Sequence, residues 1–159
     1  MGEDNLKRMI QLADEFFDMK NDPDQLSVNE DSMARLREIH PDTISEERDE
    51  NGPIAWMLVI PTTNALMEAF TRGEINEREL LGRTAPGGVY DALYLCSALV
   101  LPEHRGKGLA GRLAARAVRS IQQAHPIRSL FYWAFSAEGD RLAASLAREC
   151  GLPLYRRNC

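Results

Sequence analysis

A glycine-rich segment in the last third of the chain carries residue types that could bind an anion. Residues 103–111 read EHRGKGLAG and stand between an apolar stretch and a helical pattern. At a helix N-terminus several backbone N–H groups lack intrahelical acceptors, and the helix dipole adds partial positive charge there. Gly106 and Gly108 let the backbone approach a ligand, while Arg105 and Lys107 add full charges. The segment therefore predicts a pyrophosphate site.

We recognise neither the Rossmann nor the Walker spacing in this segment. No G-x-G-x-x-G follows a first strand, and G-x-x-x-x-G-K-[ST] is absent. Dinucleotide and nucleoside triphosphate binding are therefore not indicated.

The elements around the segment repeat a strand followed by a helix. Residues 90–102 form a near-continuous apolar run that predicts a central strand, and apolar residues every four positions predict a helix from Leu109 to Ile121. Residues 129–135 predict a second buried strand, and the next helix carries Leu142 and Leu146 before ending at Gly151.

The first half of the chain is predicted from its caps and turns. An amphipathic helix runs to about Met19, residues 43–48 and 54–60 form a hairpin around the turn at 49–53, and two short helices follow within 63–81. With 159 residues and no linker or repeat, the pattern predicts one α/β (α+β) domain over 1–159 with a mixed central sheet.

The motif resembles the acyl-CoA loop of the GNAT N-acetyltransferases, [QR]-x-x-G-x-[GA], which reads RGKGLA at 105–110. Val100-Leu101-Pro102 is similar to the V-x-P that precedes it in the family, and the resemblance covers about residues 90–152. It implies a mostly antiparallel mixed sheet flanked by helices. The chain departs from the family in a helical N-terminus and a shortened C-terminus with a single closing strand.

The resemblance also implies acetyl-CoA as co-substrate and direct transfer to an amine in a ternary complex. Backbone N–H groups of the loop would hold the pyrophosphate, and the strand before it would pair with the pantetheine arm, in a wedge between this strand and 131–135. The implied acetyl-CoA residues are Leu99, Val100, Leu101, Arg105, Gly106, Lys107, Gly108, Leu109 and Ala110.

The catalytic groups that the resemblance implies are largely missing. At the two positions where the family often has a carboxylate the chain has Tyr94 and Cys96, and its usual thiolate-protonating tyrosine falls on Ala147. Tyr94 and Tyr155 are the candidate proton-transfer residues. Asp140, where the family often has Asn, is expected to be a solvated residue that favours the first turn of its helix.

Charge distribution suggests which partners to expect. The net charge is −5, with 15 acidic and 6 basic residues over 1–51 and 4 acidic and 10 basic over 103–159. The acidic first third favours a cationic amine acceptor and argues against nucleic acid. Three spaced cysteines indicate free thiols and no metal site, and without an apolar span or leader we expect a cytoplasmic protein that does not bind membranes. Monomer and homodimer remain open.

Three functions remain open at this point. The leading one is an N-acetyltransferase that acetylates a primary amine of a small molecule. A protein N-terminal or lysine acetyltransferase is the alternative among enzymes. A catalytically silent acyl-CoA-binding sensor or interaction module is the alternative outside them, and the missing catalytic side chains favour it.

Overall fold

The computed structural model describes residues 2–20, 30–134 and 136–158. Its helices and strands alternate in blocks along the chain. The helices are α1 (Gly2–Lys20), α2 (Glu30–Ile39), α3 (Asn64–Thr71), α4 (Glu77–Arg83), α5 (Leu109–Ala124) and α6 (Ala137–Cys150). The strands are β1 (Ile44–Asp49), β2 (Gly52–Thr62), β3 (Ala92–Val100), β4 (Ser129–Trp133) and β5 (Leu154–Arg157).

The five strands form one mixed sheet in the order β1-β2-β3-β4-β5. The first three are antiparallel neighbours with long ladders, whereas β3, β4 and β5 pair in parallel over four residues each. The predicted α/β fold with a mixed, mostly antiparallel sheet is therefore confirmed. Among the described residues, α1 precedes the sheet and one strand, β5, follows α6, as expected.

The hairpin of β1 and β2 forms where the turn residues predict it. The Asn51 backbone N–H donates to the Asp49 carboxylate at 2.8 Å, and Gly52 adopts a φ of 116° that a side chain would oppose. The first arm is partly exposed and the second is buried almost throughout, as expected. β2 thus lies inside the sheet with helices on both of its faces.

Helices cover the two faces of the sheet in separate groups. On α3, Phe70 meets the Tyr94 ring edge-on with centroids 4.8 Å apart, which places α3 on the Tyr94 face. On α6, Asp140 accepts a hydrogen bond from Tyr132, which points to the opposite face from Phe131 because side chains alternate along a strand. A Cβ on Gly111 of α5 would meet Leu142 of α6 at 3.9 Å, so α5 and α6 pack side by side.

The predicted helical periodicity of α5 is confirmed by burial. Leu109, Leu113, Ala117 and Ile121 are all buried, and helix α5 ends at Ala124, two residues before Pro126. β4 is shorter than predicted: it ends at Trp133, after which the Ala134 backbone N–H still donates to the Arg157 carbonyl at 3.0 Å. Phe135, at the end of the predicted strand, lies outside the described residues.

Candidate functional site

A cleft opens in the sheet where β3 separates from β4. The two strands pair in parallel from Ala92 to Leu95, and the pairing stops there. On β2, the adjacent residues Val59 and Leu58 pair with Leu95 and Ser97, so Cys96 is the extra residue of a bulge. A bulge bends its strand and redirects it. β3 then continues to Val100 against β2 alone, among the residues described.

Exposure along β3 changes at the same bulge. Residues 92–95 are buried, whereas residues 96–98 and Val100 are partly exposed. One backbone edge of β3 therefore borders an opening instead of a neighbouring strand. This opening is called the cleft below, and it is bounded by the second half of β3 on one side and the end of β4 on the other.

The hydrogen-bonding direction of each β3 residue decides which groups face the cleft. The Leu101 backbone N–H donates to the Ile54 carbonyl at 2.9 Å, so Leu101 faces β2. In an antiparallel pair the residues alternate, so Leu99 also faces β2, while Ala98 and Val100 direct their backbone groups to the cleft. Of the three strand residues implied from the sequence, only Val100 offers its backbone there.

Immediately beyond β3 the chain turns sharply into α5. Gly106 and Gly108 have φ values of 81° and 75°, in the left-handed region that glycine adopts without strain. A Cβ on Gly106 would have no atom within 4 Å, so the loop surface is open at that point. The Arg112 side chain donates to the Lys107 carbonyl at 2.9 Å and fixes the loop from the first turns of α5.

The N-terminus of α5 is left without a side-chain cap. Gly108 occupies the N-cap position and makes no side-chain hydrogen bond, and the first turn carries no acidic residue. The Arg112 N–H donates to the Gly108 carbonyl at 3.0 Å, so the preceding N–H groups, those of residues 109–111, point out of the helix. These donors lie beside the open end of β3.

Charges around this terminus are mostly positive and exposed. Arg105 lies across the strand end, with its Nε donating to the Val100 carbonyl at 3.1 Å, and Lys107 contacts the His104 ring at 3.2 Å. Two acids lie nearby: Asp49 Oδ2 is 3.6 Å from His104 Nε2, and Glu103 forms a bidentate ion pair with Arg8 of α1 at 2.6 Å. This hydrogen-bonded pair lowers the pKa of Glu103 to about 2. The Arg8 charge offsets that of Glu103, so the loop keeps its positive character.

Tyr94 lies at the closed end of the cleft, two residues before the bulged Cys96. Its ring is fully buried and stacks on Phe131 with centroids 5.1 Å apart. Its hydroxyl donates to Glu77 Oε2, and the Cys96 thiol reaches the same oxygen at 3.6 Å. Burial, and then the Glu77 charge, raise the pKa of Tyr94 well above its usual value.

Tyr155 is separated from Tyr94 by a strand. It stands on β5 opposite Phe131, which in turn is opposite Tyr94, so the two tyrosines share a face across about 10 Å of sheet. Tyr155 is 46% exposed, at the edge strand of the described sheet. The structure thus keeps the two candidate tyrosines on one face but does not bring them into contact.

Two residues of α6 differ in how well they were anticipated. Asp140 is not simply solvated: its Oδ1 accepts the Tyr132 hydroxyl at 2.7 Å and lies 3.8 Å from Arg156. Burial, followed by the hydrogen bond to Asp140, raises the pKa of Tyr132. Ala147 is buried, as its small apolar side chain allows.

Sequence analysis missed Glu77. A glutamate directly after Asn76 looks like a dipole-favoured residue of a capped helix, and the capping box of Asn76 and Glu79 is indeed present. Glu77 is nevertheless only 4% exposed. The signal that could have found it is its spacing from Leu80 and Leu81, which puts it on the buried face of α4.

The glycine spacing also needs a correction. Gly106, Gly108 and Gly111 do have the spacing G-x-G-x-x-G, so spacing alone does not exclude a dinucleotide fold. The sheet excludes it: the strand before the loop is the third of the sheet, and its β2 neighbour is antiparallel. A dinucleotide-binding fold needs a parallel sheet at that position.

The rest of the described chain adds no second centre of this kind. No group of three or more His, Cys, Asp or Glu side chains that could hold a metal ion occurs among the described residues. Cys96 and Cys150 form no disulfide bond among the described residues, and Cys159 lies outside them. Of the described helices, none has the length and apolar character needed to cross a membrane.

Comparison with known proteins gives two solved structures of similar outline. No protein-family model and no curated protein matches the chain. An aminoglycoside acetyltransferase from an uncultured soil metagenomic sample, meta-AAC0020, is 11% identical, with 94% of this chain and 82% of that chain covered at a TM-score of 0.46. The aminoglycoside 6′-N-acetyltransferase AAC(6′)-IG from Acinetobacter haemolyticus is 16% identical, with 96% and 87% covered at a TM-score of 0.42. Similarity at this level establishes neither a family nor a substrate for this chain.

Proposed function

We propose that the protein is an N-acetyltransferase of the GNAT type that transfers an acetyl group from acetyl-CoA to a primary amine of a small molecule. The observation that supports it most directly is the uncapped N-terminus of α5 at the open end of the β3 edge. An extended backbone edge and an uncapped helix N-terminus follow each other along the chain, with only the turn at residues 101–108 between them. That sequence of groups suits a carrier with a pyrophosphate at one end and an amide-containing arm.

The pyrophosphate would bind at the turn into α5. Backbone N–H groups of residues 106–110 would donate to its oxygens, and Arg105 and Lys107 would add charge. Such a site needs donors that the protein does not already use, and helix geometry leaves those of the first turn of α5 available. The open space beside Gly106 leaves room for the ligand.

The pantetheine arm would lie along the cleft-facing edge of β3. Val100 and Ala98 would offer their backbone groups to its amides, in place of the missing neighbouring strand. Leu99 and Leu101 then serve as strand residues that hold this edge against β2. Acetyl-CoA bound in this way would carry its thioester from the loop towards the bulge at Cys96.

Acetyl transfer needs a neutral amine, which few amines are at neutral pH. A lysine-like amine with a pKa of about 10.4 must lose a proton at a cost of about 4.6 kcal/mol at pH 7. Tyr94 keeps its proton there because its pKa is raised, so it acts as a donor and not as a base. Tyr155 is exposed and is the candidate for protonating the CoA thiolate.

A cationic amine is the proposed class of acceptor, from the acidic first third of the chain. A panel of small amines of different charge, with an N-terminal peptide and a lysine peptide included, tests this through CoA release. Preference for cationic small amines supports the assignment. Preference for acidic or neutral acceptors contradicts it, and turnover of the peptides alone would favour a protein acetyltransferase.

A silent acyl-CoA-binding module is the second candidate, and one observation favours it. Ala147 stands buried where the family has its tyrosine, so α6 supplies no general acid. Calorimetry with acetyl-CoA and a turnover assay on the same preparation separate the two. Binding with turnover supports the enzyme, binding without turnover on the full panel supports the module, and absence of binding contradicts both.

A further inference from the structure

The strongest feature outside the anion site is a buried carboxylate at the closed end of the cleft. Glu77 is 4% exposed, and its Oε2 accepts hydrogen bonds from the Tyr94 hydroxyl and, at 3.6 Å, from the Cys96 thiol. A charge removed from water is costly unless it is hydrogen-bonded in this way. A hydrophobic side chain at this position would cost less free energy to bury, so the presence of a carboxylate here needs a reason.

Its location offers one. Cys96 is the bulged residue at which β3 leaves β4, and it is partly exposed while Tyr94 is not. Glu77 is therefore held against the residue that marks the inner end of the cleft. From Val100 to Cys96 the strand extends about 13 Å, so a carrier bound at the α5 N-terminus would point its reactive end towards this carboxylate.

Tyr94 and Cys96, which both donate to the Glu77 carboxylate, are also the two side chains that replace the carboxylates which the resemblance implied. Neither Tyr94 nor Cys96 is a base at neutral pH. α4, a helix inserted between β2 and β3, brings a carboxylate to the same place from another element. A carboxylate from α4 thus lies beside the two positions at which the resemblance implied one.

We propose that Glu77 is the proton acceptor for the amine, with Tyr94 and Cys96 as the residues that position its carboxylate. This inference rests on the proposed acetyl transfer. The ammonium form of the acceptor gives one proton to Glu77, and the neutral nitrogen then forms a bond to the thioester carbonyl carbon. The carbon–sulfur bond breaks, the second nitrogen proton goes to the CoA thiolate, and Glu77 releases its proton to solvent.

The surroundings of Glu77 allow this role. Tyr94 and Cys96 are the titratable groups that face it from β3, and Arg157 on β5 is close enough for its charge to act on Tyr94. Arg157 itself is fixed over the rings of Phe70 and Trp133, at 4.5 and 4.6 Å from their centroids, and donates to the Ile75 carbonyl. The hydrogen bonds from the Tyr94 hydroxyl and the Cys96 thiol thus fix the orientation of the Glu77 carboxylate from β3.

The test replaces Glu77 by Gln and measures binding, turnover and pH dependence together. We expect kcat to fall about 100-fold or more with the Kd for acetyl-CoA unchanged within threefold, because general bases contribute this much and do not touch the carrier. The acidic limb of the pH profile should disappear. The pH profile is measured with two acceptor amines whose pKa values differ. A limb that belongs to the enzyme lies at the same pH with both amines, whereas a limb that belongs to the amine moves. The matched control is Glu79→Gln, because Glu79 is a carboxylate in the same turn of α4. Gln keeps an oxygen that accepts the capping bond, so this variant should keep its activity.

A second variant separates positioning from folding. Tyr94→Phe keeps the ring and its packing but removes the donor to Glu77, so the acidic limb should move to higher pH, because the charged carboxylate loses a stabilising partner. If Glu77→Gln does not fold, this shift decides the question, since a merely structural carboxylate leaves the limb in place. Turnover and pH profile unchanged in a folded Glu77→Gln would overturn the inference while the acetyltransferase proposal stands. Failure of the unmodified protein to bind acetyl-CoA would overturn both.

Discussion

Two units of the chain, β3–α5 and β4–α6, each consist of a strand, a loop and a helix. The N-termini of their two helices are capped in opposite ways. At α6 the Ser136 hydroxyl accepts the Gly139 N–H at 3.0 Å, and Glu138 and Asp140 stand in the first turn. At α5 the N-cap is Gly108, without a capping side chain or an acidic residue. The protein thus satisfies one helix terminus with its own side chains and leaves the other without a side-chain cap.

The strands that precede these helices also differ, in how far they are paired with neighbouring strands. β4 pairs with β3 from Ser129 to Tyr132 and with β5 from Leu130 to Trp133, whereas β3 loses β4 after Leu95 and presents a backbone edge. One unit therefore closes its helix terminus and the other leaves it open beside an unpaired part of its strand. The proposed binding site depends on the omission of a cap and of a neighbouring strand, which the fold alone does not dictate.

The largest effect is expected when the open terminus is given a charge like that of α6. Gly108→Asp places a carboxylate among the donors, and at about 4 Å an effective dielectric of 20 makes two like charges cost about 4 kcal/mol. We expect acetyl-CoA affinity to fall at least 100-fold at low ionic strength, measured by calorimetry.

The matched control for this variant is Gly108→Asn. Asn and Asp both tolerate the φ of 75°, so the two variants share the backbone cost and differ in charge. Asn should lose much less affinity than Asp. Equal losses would mean that strain, and not anion binding, is responsible.

A smaller effect is expected at Gly106, where geometry alone changes. Gly106→Ala meets no neighbouring atom, but a side chain at a φ of 81° costs about 1–2 kcal/mol. If the loop relaxes to remove the strain, its N–H groups turn away from the ligand. We expect acetyl-CoA affinity to fall about tenfold in the same titration.

The control for this variant is Gly151→Ala, at the C-terminal end of α6. Gly151 has a φ of 66° and open space around a Cβ, so the strain is similar while the anion site is distant. It should lower the free energy of unfolding by about 1 kcal/mol and leave affinity unchanged. An equal loss of affinity in both variants would show that the effect is a general loss of stability.

A still smaller effect is expected from the charge of Arg105. Arg105→Gln removes the cation, and because exposed ion pairs contribute only about 0.2–1 kcal/mol, affinity should fall about threefold. The remaining affinity should also depend less on salt, since screening acts on the charge that was removed. Arg119→Gln, an exposed cation further along α5 that pairs with Glu149, should change neither quantity.

How far the sequence could predict this protein differs between local and non-local features. The turn at 49–53, the buried face of α5 and the turn that leads from β3 into α5 at Gly106 and Gly108 are each set by neighbours in the chain, and the structure has each of them. Local patterns fix such elements because caps, turns and helical faces depend on residues a few positions apart.

The closed end of the cleft could not be predicted in the same way. The contact of Glu77 with Tyr94 joins residues 17 positions apart and depends on how α4 packs under the sheet. Likewise Asp140 was expected in solvent, but the position of Tyr132 on the neighbouring strand gives it a donor. Neither pairing has a local signature, because each arises only when two elements come together.

The smallest effect on binding is expected where the internally capped helix loses its cap. Ser136→Ala removes the acceptor of the Gly139 N–H, and loss of such a cap costs about 1 kcal/mol of the free energy of unfolding. Because α6 closes its own terminus and α5 does not, acetyl-CoA affinity should stay within twofold, and chemical denaturation should show the loss of stability. Ser136→Asp, which keeps an acceptor at the N-cap, should restore it. A fall in affinity beyond fivefold with Ser136→Ala, at a temperature where the variant is folded, would mean that both helix termini serve the ligand and that their opposite capping does not separate binding from stability.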